Sequence, residues 1–227
     1  MIVHRLVQQN NPRLIIFCNG WGMDQHPFSR LETDSTDVLI LSDYRDFKLP
    51  LDMDELSRTH ETIDLLGWSF GVWAAQQVFH PWRDTIRYCI AINGTLQPID
   101  DRCGIPHQYF NATRAQFSDS VRTRFYRRMC RPQQILDSFL EQQPARTVAD
   151  QAEELEALAR LVRSGADTPP IFDAAVISSA DLIIPTAHQL HFWRGRCRII
   201  EVEGGHFPFG AWSGWSDIID MVTRDGG

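Results

Sequence analysis

Residues 62–79 constrain the fold more than any other stretch of this chain. The run Thr62-Ile63-Asp64-Leu65-Leu66 is rich in β-forming residues, and Val72-Trp73-Ala74-Ala75-Gln76-Gln77-Val78-Phe79 reads as a helix. Between them lies Gly67-Trp68-Ser69-Phe70-Gly71. A strand that runs through G-x-S-x-G straight into a helix is a nucleophile elbow. The sharp turn projects the serine Oγ clear of the backbone. The flanking glycines leave room for strand and helix to close around it. The same residues also read as a tight connection with a buried serine. The rest of the chain must therefore supply the partners a serine nucleophile requires.

Six further runs read as strands: 2–7, 13–18, 37–41, 86–92, 174–178 and 198–202. A Gln-Asn-Asn-Pro turn at 9–12 separates the first two, and Asn93-Gly94 ends the fourth. Several are nearly continuous apolar runs, the pattern of strands buried on both faces of a parallel sheet. Helical runs lie between several of them, which predicts an α/β fold with a mostly parallel central sheet flanked by helices. The stretch from about 96 to 170 breaks the alternation. It opens with an irregular Pro- and Gly-containing segment, then shows helical patterns at 118–130, 132–142 and 148–163. An insertion of this kind between two core strands predicts an α-helical lid over the active end of the sheet. No repeat or low-complexity linker divides the chain, so residues 1–227 are expected to form a single domain.

Charge and cysteine usage narrow the setting. A net charge of -7 gives the whole protein no drive toward nucleic acid, and the apolar runs are too short to span a membrane. Five cysteines, at 18, 89, 103, 130 and 197, form no C-x-x-C pair. The first residues lack a long apolar core, so free thiols in a reducing cytoplasm are expected. Charge is uneven, however. Arginines 114, 122, 124, 127, 128 and 131 face a single acid, Asp119, between Asn111 and Arg131. That imbalance reads either as a site for an anionic partner or as a solvated helix face.

A serine hydroxyl needs a histidine base, an acid to orient it, and donors for the oxyanion. Elbow-based sites place these in the order serine, acid, histidine. Asp181 follows the strand 174–178, whereas Asp173 precedes it and Asp167 lies further back. His206 sits on the glycine-bearing loop Glu203-Gly204-Gly205-His206 after the strand 198–202. Asp181 also reads as an N-cap for a helical run at 186–194, and His206 as an ordinary loop histidine. Their order after the right strands favours a catalytic set of Ser69, Asp181 and His206. The backbone N–H of Phe70, after the nucleophile, and that of Trp21, in the loop Asn19-Gly20-Trp21-Gly22, are the expected oxyanion donors. His188 and His191 share a helical face, but sequence places no third ligand, so no metal is expected. No phosphate- or dinucleotide-binding fingerprint is present, and no cofactor is expected. Phe28, Trp73, Phe110, Phe125, Tyr126 and Phe207 read as plain core or as lining for an acyl pocket.

Longer motifs add a resemblance. The segments are Gly20-Trp21-Gly22, Asp43-Tyr44-Arg45-Asp46, Trp68-Ser69-Phe70-Gly71-Val72-Trp73, Asn93-Gly94-Thr95, Gly104-Ile105-Pro106, Arg127-Arg128-Met129-Cys130, Ser178-Ser179-Ala180-Asp181 and Glu203-Gly204-Gly205-His206. Together they resemble the BioG-type pimeloyl-acyl-carrier-protein methyl ester esterases of bacterial biotin synthesis. Phe70 stands where members commonly carry methionine. The resemblance implies an α/β-hydrolase fold and a Ser-His-Asp triad carried by Ser69, His206 and Asp181. It also implies a methylated seven-carbon acyl substrate on the phosphopantetheine arm of an acidic carrier protein. On that basis Arg122, Arg127 and Arg128 become candidate carrier-binding residues, because arginine suits carboxylates and phosphate. Another acyl thioesterase or carbon–carbon bond hydrolase, or a non-catalytic carrier-binding module, shares the same fold-level signature.

Overall fold

The alternation along each central strand explains why both faces of the sheet read as apolar. In β2 (Arg13–Cys18), Ile15 and Phe17 point to one layer and Leu14, Ile16 and Cys18 to the other. β3 (Thr36–Ser42) divides Val38 and Ile40 from Leu39 and Leu41, and β4 (Thr62–Trp68) divides Leu66 and Trp68 from Ile63 and Leu65. β5 (Tyr88–Ile92) and β6 (Ala174–Ser178) follow the same rule. Every such residue is buried, so period-two patterning survives without a polar face.

The computed structural model describes residues 1–162 and 168–224. With β1 (Ile2–Val7) and β7 (Arg198–Val202), the strands form one seven-stranded sheet in the order β1-β3-β2-β4-β5-β6-β7. All neighbours pair in parallel except β1, which runs antiparallel to β3 at the edge. α1 (Met53–Thr59), α2 (Phe70–Phe79) and α7 (Thr186–Trp193) cover one face, while α8 (Trp215–Thr223) packs Trp215, Ile218 and Val222 on the other.

Between β5 and β6 the chain carries α3 (His107–Ala115), α4 (Asp119–Met129), α5 (Gln133–Glu141) and α6 (Val148–Leu161). The last three lie where sequence predicts helices, although residue 163, the predicted end of the last, lies outside the described residues. α3 is a correction, because its residues fall in a segment expected to be irregular. Phe110 is its only buried residue, so it carries no periodic apolar signal. Pro106 opens it, and the Asp101 carboxylate accepts the His107 N–H at 2.8 Å. Phe110, Leu155 and Leu158 from this insertion meet Trp21, Phe70 and Trp73 from the sheet's loops and α2 in a third apolar cluster. That cluster seats the inserted helices above the elbow.

Candidate active site

Ser69 occupies the turn between β4 and α2 with φ 57° and ψ -125°, a conformation costly for any residue with a side chain. The turn holds because the Ser69 N–H donates to Ile92 O at 3.0 Å and because Gly71 admits a close backbone approach. A Cβ at position 71 would lie 2.0 Å from Cys18 O, so any larger residue would drive α2 away from β2.

Three strand ends converge at this point. His206 Nε2 lies 2.9 Å from Ser69 Oγ, and His206 Nδ1 lies 2.7 Å from Asp181 Oδ2. All three side chains are buried. Asp181 Oδ1 accepts the N–H groups of Ile183 and Ile184, and Oδ2 also accepts from Gln189 Nε2 at 2.9 Å. The carboxylate is an acceptor only, so Nδ1 of His206 carries its proton and Nε2 accepts from the serine hydroxyl. The alternative N-cap role for Asp181 does not describe the structure. α7 begins after Pro185 without a side-chain cap, and Asp181 instead ties the turn that precedes it. Asp173 pairs with Arg83 and the Cys89 N–H, away from the histidine, and Asp167 lies outside the described residues.

In the Gly20-Trp21-Gly22 turn after β2, one main-chain donor is left free among the described residues. Gly20 N–H donates to Asn19 Oδ1 at 2.8 Å, and Gly22 N–H to Glu154 Oε2 at 3.0 Å. Trp21 N–H, between them, has no acceptor among the described residues. Phe70 is the first residue of α2, so its N–H has no intrahelical acceptor either. Gly20, Trp21, Ser69, Phe70 and His206 all border one cavity, whose remaining wall is largely apolar and includes Phe110, Phe125, Met129, Leu155 and Ile183. Of the aromatic residues weighed from sequence, Phe110 and Phe125 line it. Phe28, Tyr126 and Phe207 belong to the core beneath, and Trp73 packs in the cluster under the inserted helices.

The family of pimeloyl-ACP methyl esterase BioG matches residues 2–218. The chain belongs to the BioG family. BioG from Haemophilus influenzae has a crystal structure that covers 96% of this chain and 99% of its own, with a TM-score of 0.87 and 30% identity. A malonyl-[acyl-carrier protein] O-methyltransferase of Bacteroides fragilis is 36% identical over 195 residues, which is 85% of this chain. The chain spans only 39% of that longer protein. A thermophilic esterase from Thermogutta terrifontis shares the architecture at 12% identity, with a TM-score of 0.65 over 99% of this chain and 91% of its own. Seven mostly parallel strands flanked by helices are thus the α/β-hydrolase fold, here in its BioG form.

The arginines of this BioG-family chain divide by environment. Arg122 is held by Asp119 at 2.7 Å. Arg128 donates to Leu182 O at 2.6 Å and stacks over the Tyr109 ring. Arg127 is exposed, with no partner among the described residues. Arg127, Arg128 and Arg131 line a surface groove with Pro132, Leu182 and Gly204, and Arg128 also borders the cavity at Ser69. The His188 ring donates through Nδ1 to Gly104 O at 2.9 Å.

Sequence reasoning missed two buried amides. Asn93 Nδ2 donates to His206 O at 3.0 Å and to Ser178 Oγ at 2.8 Å, while its Oδ1 accepts the Ser178 N–H. It ties the histidine loop to β5 and β6. Gln189 performs the matching task for Asp181. The Asn93-Gly94 pair reads as an ordinary turn, and an isolated glutamine in a helix carries no signal at all.

Proposed function

We propose that this protein is a serine esterase that hydrolyses the methyl ester of a pimeloyl chain borne by acyl carrier protein, releasing methanol. The observation that carries this reading is the hydrogen-bonded series Ser69–His206–Asp181, opening on an apolar cavity beside the free N–H groups of Trp21 and Phe70. Family membership supplies the substrate class.

In this reading Ser69 Oγ attacks the ester carbonyl while His206 Nε2 takes the hydroxyl proton. The carbonyl oxygen becomes an oxyanion and is met by the N–H groups of Trp21 and Phe70. His206 returns the proton to the departing methoxide, and methanol leaves. Water then attacks the acyl-enzyme, His206 takes its proton, and the carboxylate product departs with Ser69 regenerated. Asp181 keeps His206 in the required tautomer throughout.

Residues 1–227 act as one catalytic domain, with the insertion at about 96–170 as its lid. The carrier docks at the basic groove, and its arm passes Arg128 to reach the cavity. Arg127 is the contributor best supported by its freedom, with Arg128 at the junction and Arg122 as an outer charge. The methyltransferase name belongs to a protein more than twice as long, of which this chain spans 39%. The test is methanol release from methyl-pimeloyl carrier protein by the purified enzyme and by Ser69→Ala. A loss of three orders of magnitude or more in the folded variant is expected. Turnover within tenfold of the parent would refute the mechanism, and turnover of a free aryl ester without any on the carrier-bound ester would refute the substrate.

A further inference from the structure

The last inserted helix does more than cover the cavity. Gln151, Glu154, Leu155 and Leu158 fall on one face of α6, at the spacing of successive turns, and all are buried. Leu155 and Leu158 pack with Trp21 and Phe70. The two polar residues grip the loop that follows β2. Glu154 Oε2 accepts the Gly22 N–H at 3.0 Å, and its Oε1 accepts the Tyr44 N–H at 3.0 Å. Gln151 Nε2 donates to Gly22 O at 2.7 Å, and Gln151 O accepts from Trp21 Nε1 at 2.8 Å. Both polar groups of Gly22 and the ring of Trp21 are thus fixed by one helix from the other side of the sequence.

We infer that Glu154 and Gln151 are positioning residues that hold Trp21 N–H at the oxyanion site, so that docking of the inserted helix completes the catalytic centre. This rests on the esterase reading above. Three observations argue for it. First, Gly20 and Gly22 N–H are both occupied, which leaves Trp21 N–H as the donor the grip presents. Second, Gly22 adopts φ +74°, and a Cβ there would meet Gln151 Nε2 at 3.3 Å, so the loop is shaped to receive this side chain. Third, the arrangement is a poor way to gain stability. Glu154 is fully buried, and Arg146, itself nearly buried, must accompany it at 2.5 Å. A buried ion pair of this kind is commonly no better for stability than apolar residues of the same volume. Burial pushes the Glu154 carboxyl up, and Arg146 with the Tyr44 and Gly22 donors opposes that shift. The carboxyl sits where it accepts the N–H groups of Gly22, next to Trp21, and of Tyr44.

The experiment compares Glu154→Gln and Gln151→Met with Glu156→Gln, an exposed substitution on the same helix. Each is assayed on a short p-nitrophenyl ester, with melting temperature measured alongside. An oxyanion donor contributes about 10²–10³ in kcat. A displaced one should therefore lower kcat by roughly ten- to a hundredfold in both grip variants, with KM changed less than about threefold. Affinity for a trifluoromethyl ketone, which forms an oxyanion on addition of Ser69, should fall by the same factor as kcat/KM. Affinity for the corresponding secondary alcohol, which cannot, should stay unchanged. Glu156→Gln should match the parent. Parent-like kcat and ketone affinity in the folded grip variants would overturn the inference, as would equal losses for ketone and alcohol. If Glu154→Gln does not fold, Gln151→Met decides, because it keeps the helix and removes only the donor to Gly22 O and Tyr126. Ser69→Ala is run in parallel. Activity lost there but kept in the grip variants overturns this inference alone, whereas activity kept in Ser69→Ala overturns the esterase reading with it.

Discussion

Replacing Asp181 with asparagine changes one oxygen to an NH₂ group, and the structure dictates where that group must go. Oδ1 receives two backbone N–H groups, from Ile183 at 2.8 Å and Ile184 at 3.0 Å. An amide nitrogen placed there would face two donors at once. It must instead take the Oδ2 position, 2.7 Å from His206 Nδ1 and 2.9 Å from Gln189 Nε2. His206 Nδ1 then has to accept, so the ring proton moves to Nε2 and points at Ser69 Oγ. The base is lost without any change of shape. By analogy with the same substitution in other serine hydrolases, kcat should fall by about 10³–10⁴, equivalent to about 4–5.5 kcal/mol of transition-state stabilisation. KM should change little. Stability should fall as well. Gln189 must either keep a donor facing a donor, or flip its amide and turn its carbonyl against Ile184 O, to which it now donates at 2.8 Å. One buried mismatch costs about 1–3 kcal/mol, or roughly 2–12 °C in a protein of this size. Steady-state hydrolysis of a p-nitrophenyl ester at 25 °C, with melting curves on the same samples, measures both. A folded Asp181→Asn protein with kcat within tenfold of the parent would refute the assignment of Asp181. So would an effect confined to KM.

Two further outcomes follow from groups outside the catalytic series. Asp37 accepts from Gln9, Asn10 and Asn11 in the turn between β1 and β2. Burial tends to raise its pKa, but bonds from Gln9, Asn11 and His60 outweigh it and hold the carboxyl below its ordinary 3.8. A depressed folded pKa contributes stability that is present above 3.8 and lost as pH falls through the folded value. Melting temperature should therefore drop below pH 4, and Asp37→Asn should be less stable at pH 7 with a shallower acid decline; an unchanged decline would remove Asp37 as a source. Arg127→Glu with Arg131→Glu should weaken turnover of the carrier-bound ester and blunt its salt dependence, while a free p-nitrophenyl ester is hydrolysed as before. Equal loss on both substrates would show that the groove serves the fold or the chemistry instead of docking.

The sheet was legible because every strand that forms it carries its own signal. Apolar runs at 13–18, 62–66 and 174–178 need no knowledge of their neighbours to be read as doubly covered strands. Helices with one buried residue per two turns are silent by comparison. α1 buries only Met53, and α3 only Phe110, and both escaped a reading based on periodicity. α8 buries four residues yet lies near the end of the chain, behind an irregular loop with Phe207, Phe209 and Trp212 that obscures its start. Strand direction at the edge was equally hidden. Nothing in Ile2–Val7 distinguishes an antiparallel partner of β3 from a parallel one, because the choice is made by the path of the chain and not by side-chain pattern.

The site divides along the same line, and the division has a physical cause. Ser69, Asp181 and His206 each follow a strand, so the topology of a parallel sheet brings them to its carboxyl end and their order can be read along the chain. The residues that hold them have no such anchor. Asn93 reaches His206 across 113 positions, and Glu154 reaches Gly22 across 132. Each is one hydrogen-bonding residue among many, meaningful only when a buried backbone group elsewhere lacks a partner. Such a need is a property of the folded chain, since every buried N–H or C=O must be matched. Reading those residues requires the backbone first. Once it is known, the logic runs in reverse: a buried carboxylate or amide that satisfies main-chain groups of a catalytic loop marks the loop whose position the reaction cannot afford to lose. By that criterion α6, which lends the proposed mechanism no reacting group, belongs to the proposed active site as firmly as the strands that lead to Ser69 and His206.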